Sequence, residues 1–181
     1  MDYLVVDLEW TCDKGIRYSD SETIEIGAVL MRKAKCGFKK VDNYQALVRP
    51  KRRPVLTPFC QKLTGIDQSH VDKADVFPDV FSMFCRWCMT LTTGFENVMF
   101  CSWGFGDWKQ LKKDCKYHSQ SYPFRNHLDL SKLFTRKTGR KRAHRGAMKI
   151  LRIEPVGGHH RGLDDAQNIV KMLPYLLGDG K

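Results

Sequence analysis

Residues 3–32 read YLVVDLEWTCDKGIRYSDSETIEIGAVLMR: an apolar, β-branched run, a polar turn-like stretch and a second apolar run. Residues 3–9 suit a buried strand, and residues 23–32 suit a second. A third run, FKKVDNYQALV at about 38–48, follows after a short connection, so the three are expected to pair as an antiparallel meander. RPKRRP at 49–54 then breaks the pattern. Helical spacing predicts helices over roughly 58–64, 76–91 and 106–117, with an apolar strand at 97–102 before the last of them. A short strand near 125–129 runs into a helix at about 130–136, and further helices fit 143–151 and 163–177. No internal repeat or low-complexity linker interrupts this order. A meander followed by alternating β and α elements predicts an α/β fold: one mixed sheet, with parallel strands added to the meander, flanked by helices.

At 181 residues and 42% hydrophobic content the chain can bury one sizeable core, and a single domain spanning 1–181 is expected. Lys and Arg number 31 against 20 Asp and Glu, a net charge of +11, which makes a polyanion, nucleic acid first, the expected partner. The start, MDYLVVDLEW, lacks the basic segment and uninterrupted apolar stretch of a signal peptide. No apolar run approaches the ~18 residues of a membrane span. A cytoplasmic location follows as an expectation. The seven cysteines read as reduced thiols, and the C-x-x-C at Cys85 and Cys88 reads as part of a helix packed on the core, since no second pair completes a zinc site.

The chemistry concentrates in three segments. Side chains alternate along a strand, so Asp7 and Glu9 point to one face and Leu8 to the other. Two carboxylates can therefore reach one site, although a D-x-E alone also fits two solvated charges at a strand end. In CSWGFGDWKQL, Asp107 opens a helix just beyond the C-terminal end of a buried strand, where open α/β sheets place ligands; a helix-start charge is the plainer alternative. Gly104 and Gly106 form a G-x-G, but position 109 is Lys, so the dinucleotide fingerprint is incomplete. In HHRGLDDAQNI a histidine precedes a helix and an aspartate follows five residues later, in two registers: His160 with Asp165, or His159 with Asp164. The buried stripe of Leu163, Ala166, Ile169, Val170 and Leu173 favours the first, with Asp165 on its inner margin.

With VVDLEWTC, TIEIGAV, LTGI at 63–66, SWGFGD and HHRGLDDAQNI in this order, the chain resembles the DEDD-type 3′–5′ exonucleases of the histidine subgroup, the DnaQ-like proteins. It is most similar to the branch holding the small-RNA and histone-mRNA-trimming 3′ exoribonucleases and the bacterial KapD-like proteins. The resemblance covers nearly the whole chain. It implies a ribonuclease-H-like fold, metal ligands Asp7, Glu9, Asp107 and Asp165, and His160 as general base. It further implies contacts to the terminal nucleotide from Leu8, Trp10, Thr11, Leu63, Ile66 and Trp103. No position of the tetrad is substituted.

Four carboxylates packed together repel one another, whereas two divalent cations offset their charge; hard oxygen ligands select Mg²⁺ or Mn²⁺ over zinc. The reaction implied is two-metal hydrolysis of single-stranded RNA from its 3′ end to nucleoside 5′-monophosphates, with RNA favoured over DNA. The same chemistry on DNA is the alternative, and a non-catalytic nucleic-acid-binding module is a third reading that the intact tetrad disfavours. The basic run RKTGRKRAHRGAMK at 136–149 is the expected grip on upstream phosphates, ahead of RPKRRP; a solvated basic loop is the plainer reading of each. No protein partner is implied.

Overall fold

The structure, a computed structural model, describes residues 1–178, so the last three positions of the expected 1–181 domain lie outside the described residues. Strands β1 (Asp2–Trp10), β2 (Thr23–Ala34) and β3 (Gly37–Leu47) form the antiparallel meander. Helices α1 (Pro58–Thr64), α2 (Gln68–Asp72) and α3 (Phe77–Leu91) lead to β4 (Val98–Ser102) and α4 (Gly106–Tyr117). Then come β5 (Asn126–Asp129), α5 (Leu130–Thr138), α6 (His144–Leu151), α7 (Gly162–Val170) and α8 (Leu173–Leu177). The sheet order is β3-β2-β1-β4-β5, with β1/β4 and β4/β5 parallel. No helix among the described residues is long and apolar enough to cross a membrane.

β1 is central and buried on both faces, and its alternation sorts the core into two layers. Leu4, Val6 and Leu8 pack with Phe84 of α3 and Leu111 of α4. Val5 packs on the opposite side with Leu130 and Phe134 of α5, Met148 of α6 and Ile169 of α7. Asp7 and Glu9 continue the Val5 face, toward the α6–α7 side. Cys88 lies in the first layer with Cys85 packed against it, and all seven cysteines are free.

Two elements differ from the sequence reading. The helix expected over 163–177 breaks after Val170, and α8 starts at Leu173 with Pro174 in its first turn. Proline lacks the N–H that a continuous helix would need there and crowds the carbonyl four residues back. A short helix, α2, was not expected because five residues carry too little periodicity to register. The RPKRRP segment is held from beneath: Glu22, buried, accepts the backbone N–H groups of Lys51, Arg52 and Arg53 at 3.0, 2.7 and 2.8 Å. Arg52 in turn reaches Asp114 at 3.1 Å and lies over the Tyr117 ring at 4.0 Å. Its charge is already engaged within the fold.

Candidate active site

The parallel neighbours β1 and β4 end on the same side of the sheet, and α4 begins there, so their C-terminal ends open a crevice. Its lining includes Asp7, Glu9, Asp107 and Asp165, with His144, His159 and His160 on one side and Leu8, Trp10, Leu63 and Trp103 elsewhere on the wall. The cleft holds about 360 Å³, within the range of small-ligand sites.

Local chain geometry explains each position. The β1–β2 register shifts between Glu9 and Trp10, a bulge that ends regular pairing at the cleft. Asp107 stands in the first turn of α4, and its Oδ1 accepts the Leu8 N–H at 3.0 Å, which ties the second acidic segment to the first. Asp165 is buried in the first turn of α7. Asp164 turns the other way and accepts the Gly158 N–H at 2.8 Å, bracing the loop before the helix. His160 carries a left-handed backbone, φ 59°, uncommon for a residue with a Cβ, and this aims its N–H at Asp165 Oδ2, 2.8 Å away.

α7 comes this close to β1 because two glycines meet. Gly27 pairs with Asp7 across the β1–β2 ladder, and a Cβ added to Gly27 would lie 1.9 Å from the carbonyl carbon of Gly162. The N–H of Gly162 donates to Oε2 of Glu25 at 3.0 Å, while Gln45 donates to Oε1 of the same carboxylate at 2.6 Å. Glu25 is fully buried and pins the start of α7. It was not singled out from the sequence, although a carboxylate between Ile24 and Ile26 in a run otherwise fit for the interior was the signal. His144 and Arg145 were also missed: His144 Nε2 lies 2.9 Å from Asp165 Oδ1, and Arg145 Nη2 lies 3.6 Å from it. Of the residues expected to touch substrate, Leu8, Trp10, Leu63 and Trp103 line the cleft. Thr11 and Ile66 are buried behind it, the Thr11 hydroxyl accepting the Glu22 N–H and Ile66 packing with Ile24, Leu56, Cys60 and Val71.

The four carboxylates are not electrostatically alike. Burial pushes Asp7 well above the usual carboxylate range, and Asp107, Glu9, Asp165 and Glu25 push it further. Glu9 is pushed up to about 8 by burial and then by Glu25, Asp165 and Asp107. Burial also raises Asp107 to about 6, against the opposing N–H groups of Leu8 and its own backbone. Asp165 goes the other way: burial raises it, but the hydrogen bond and charge of His144, the His160 N–H and His159 outweigh that and hold it below the ordinary range. Three acids that resist ionising and one already ionised, all offering oxygen, form a donor set fitted to hard divalent cations.

That imbalance predicts a pH signature. An acid with a raised folded pKa costs stability progressively as pH climbs from its unfolded value through its folded one. In chelator, the parent should therefore lose stability relative to Glu9→Gln as pH rises from the ordinary 4.5 toward about 8, by up to about 1.4 kcal/mol per pH unit. Saturating Mg²⁺ should shrink the difference. Denaturant melts at pH 5 and pH 8 test this, and a gap that does not change with pH would place Glu9 in a solvated setting.

The Exonuclease family matches residues 4–173. ERI1 exoribonuclease 2 of Danio rerio is 32% identical over 98% of this chain, and that of Homo sapiens 31% over 99%. The chain spans only 35% and 29% of these two relatives. 3′-5′ exoribonuclease 1 of Rattus norvegicus is 31% identical over 99% of this chain and 54% of its own length. Among solved structures, the nuclease domain of 3′hExo, a DEDDh family member, bound to rAMP, superposes with a TM-score of 0.88 at 27% identity, covering 99% of this chain and 92% of that one. A 3′-exonuclease solved for 3′-end specific recognition of a histone mRNA stem-loop gives 0.86 at 27% identity, over 99% and 64%. The five-strand mixed sheet flanked by helices is thus the ribonuclease-H-like arrangement of the DEDDh exonucleases.

Proposed function

The chain belongs to the exonuclease family, and from that premise we propose that residues 1–181 act as one metal-dependent 3′–5′ exonuclease domain that removes nucleoside 5′-monophosphates from the 3′ end of single-stranded RNA. The observation that carries this is the convergence of Asp7, Glu9, Asp107, Asp165 and His160 on one cleft. RNA is favoured over DNA because ERI1 exoribonuclease 2 and 3′-5′ exoribonuclease 1, both matched over nearly the whole chain, are named exoribonucleases, and one neighbour was solved with rAMP. A cytoplasmic setting suits the free thiols, Cys12 among them at the cleft.

Asp7, Glu9, Asp107 and Asp165 would hold two Mg²⁺ or Mn²⁺ ions. Such ions, when bound, supply Lewis-acid stabilisation of phosphate charge and ease deprotonation of a water. The protein's own contribution starts with His160. Its imidazole is held below its usual pKa by burial first and by His159 second, so it is neutral at physiological pH and ready to take the attacking water's proton. Trp10, Leu63 and Trp103 offer apolar surface on which any terminal base can stack, with Leu8 beneath. Thr11 and Ile66 back this wall from the interior.

The direct experiment is a digest of RNA and DNA of matched sequence, each labelled at the 5′ end, with Mg²⁺, Mn²⁺ or chelator. A ladder shrinking from the 3′ end on RNA, and abolished by chelator, is expected; faster loss of DNA would transfer the reading to DNA. His160→Ala should slow turnover by at least about a hundredfold, the usual worth of a general base, and the loss should ease at alkaline pH where hydroxide is abundant. A pH-independent loss of less than about tenfold would exclude His160 as the base.

Upstream phosphates are assigned to the basic run. Trp103 Nε1 donates to the Arg142 carbonyl at 2.9 Å and Ala143 lines the cleft, so the exposed Arg140, Lys141 and Arg142 border its mouth. Changing all three to Glu should raise KM for long RNA and flatten the salt dependence of binding, because fewer counterions are released. Turnover at saturation and cleavage of very short oligonucleotides should change little. Equal losses on long and short substrates would leave the run a solvated surface.

A further inference from the structure

Two imidazoles in the cleft act in the chemistry just described only through their neighbours Asp165 and His160. His144, buried at the start of α6, places Nε2 2.9 Å from Asp165 Oδ1. His159, in the loop before α7, places Nδ1 3.2 Å from Asp165 Oδ2. The two rings meet edge to face with centroids 5.2 Å apart, and one donor atom from each of the three residues lies within 4.8 Å of the others. Zinc bonds nitrogen and oxygen ligands at about 2.0–2.2 Å, which sets the edges of its coordination tetrahedron at roughly 3.3 Å. The two histidine–carboxylate distances fall near that edge, each to a different oxygen of Asp165. The carboxylate therefore meets the ion through both oxygens, or the exposed His159 ring, stacked on His160 with centroids 3.9 Å apart, shifts to complete the set.

The donor set differs in kind from the one beside it. Asp7, Glu9 and Asp107 offer only oxygen, whereas His144, His159 and Asp165 offer two imidazole nitrogens and one oxygen, which suits zinc, cobalt or nickel far better than magnesium. We propose that His144, His159 and Asp165 form a second metal site, taking a transition-metal dication such as Zn²⁺ and sharing Asp165 with the catalytic carboxylates. A zinc ion held there draws Asp165 away from Asp7, Glu9 and Asp107, so zinc should inhibit Mg²⁺-supported hydrolysis. This last consequence rests on the exonuclease reading; metal binding at the histidines does not. Arg145 opposes the site, its guanidinium lying 3.6 Å from Asp165 Oδ1 while donating to the Gly158 carbonyl at 2.6 Å. Arg145→Gln should therefore tighten zinc binding.

Cobalt provides the test. Co²⁺ added to metal-free protein should give the intense visible bands of a four-coordinate ion, and Zn²⁺ should bleach them. His144→Gln and His159→Gln should each weaken Zn²⁺ at least about a hundredfold, since even outer partners of a metal are worth about 10–100-fold. Glutamine at 144 can still donate to Asp165, and a melting curve verifies that the variant folds. Asp7→Asn, outside this ligand set, should keep the bands. Bands that are missing from the parent, that survive in both histidine variants, or that vanish in Asp7→Asn overturn the proposal. Zinc inhibition in Mg²⁺ should fall by the same factor in His159→Gln. A parent without any Mg²⁺-supported activity would sink the exonuclease reading while leaving the cobalt result to decide the site by itself.

Discussion

Asp7→Asn should abolish Mg²⁺-supported hydrolysis and yet raise the melting temperature of the metal-free protein at pH 8. The loss of rate should exceed about a thousandfold, beyond the 10²–10³ that follows removal of one neutral donor to a transition state. The gain in stability has the opposite origin from a packing effect. Asp7 is held far above its ordinary pKa by burial and by the neighbouring acids, so forcing it to ionise costs stability that the neutral amide avoids. At a pH below the ordinary carboxylate range both side chains are neutral and the gain should vanish. Asp165→Asn should also lose hydrolysis but should lower stability in chelator, because this carboxylate is held below its ordinary range by His144, His159 and the His160 N–H. Activity within tenfold of the parent, or the same sign of stability change in both variants, would sink this division of the tetrad.

The parts legible in the sequence were those carried by short periods. Asp7 and Glu9 share a face because the strand period is two, and Asp107 sits in the first turn of α4 because a buried strand and a glycine-bearing turn precede it. Pro174 announced the break between α7 and α8, but the apolar stripe running through it masked the signal. What stayed hidden depends on partners far along the chain. Nothing near His144 shows that α6 delivers it to Asp165, twenty-one residues on. Nothing near Glu25 shows that the N–H it accepts belongs to Gly162. The sign of each carboxylate's pKa shift is likewise a property of the assembled cleft, since it is set by burial and by neighbours from β1, β2, α4, α6 and α7.

Gly27→Ala carries the other large effect, and it acts without touching substrate or metal. Gly27 sits mid-strand, where alanine would ordinarily be preferred by roughly 0.5–1 kcal/mol. Here the added methyl would meet backbone alone: the Gly162 carbonyl carbon at 1.9 Å, the Leu163 nitrogen at 2.1 Å and the Gly162 oxygen at 2.3 Å. Backbone cannot rotate aside as a side chain can, and α7 is further pinned by the Gly162–Glu25 hydrogen bond. The helix must therefore shift as a body, taking Asp165 and the His160 N–H with it. A displacement near 1 Å at a reacting centre costs about a hundredfold in rate, and overpacking of this sort costs about 1–3 kcal/mol or more. We expect Gly27→Ala to lose at least that much of both, and to lose most of the stabilisation that Mg²⁺ gives the parent. Gly15→Ala is the control, because nothing lies within 4 Å of a Cβ there. If Gly27→Ala keeps its activity within threefold of the parent, α7 does not rest on the β2 backbone in solution, and the placement of Asp165 opposite Asp7 and Glu9 loses its structural basis.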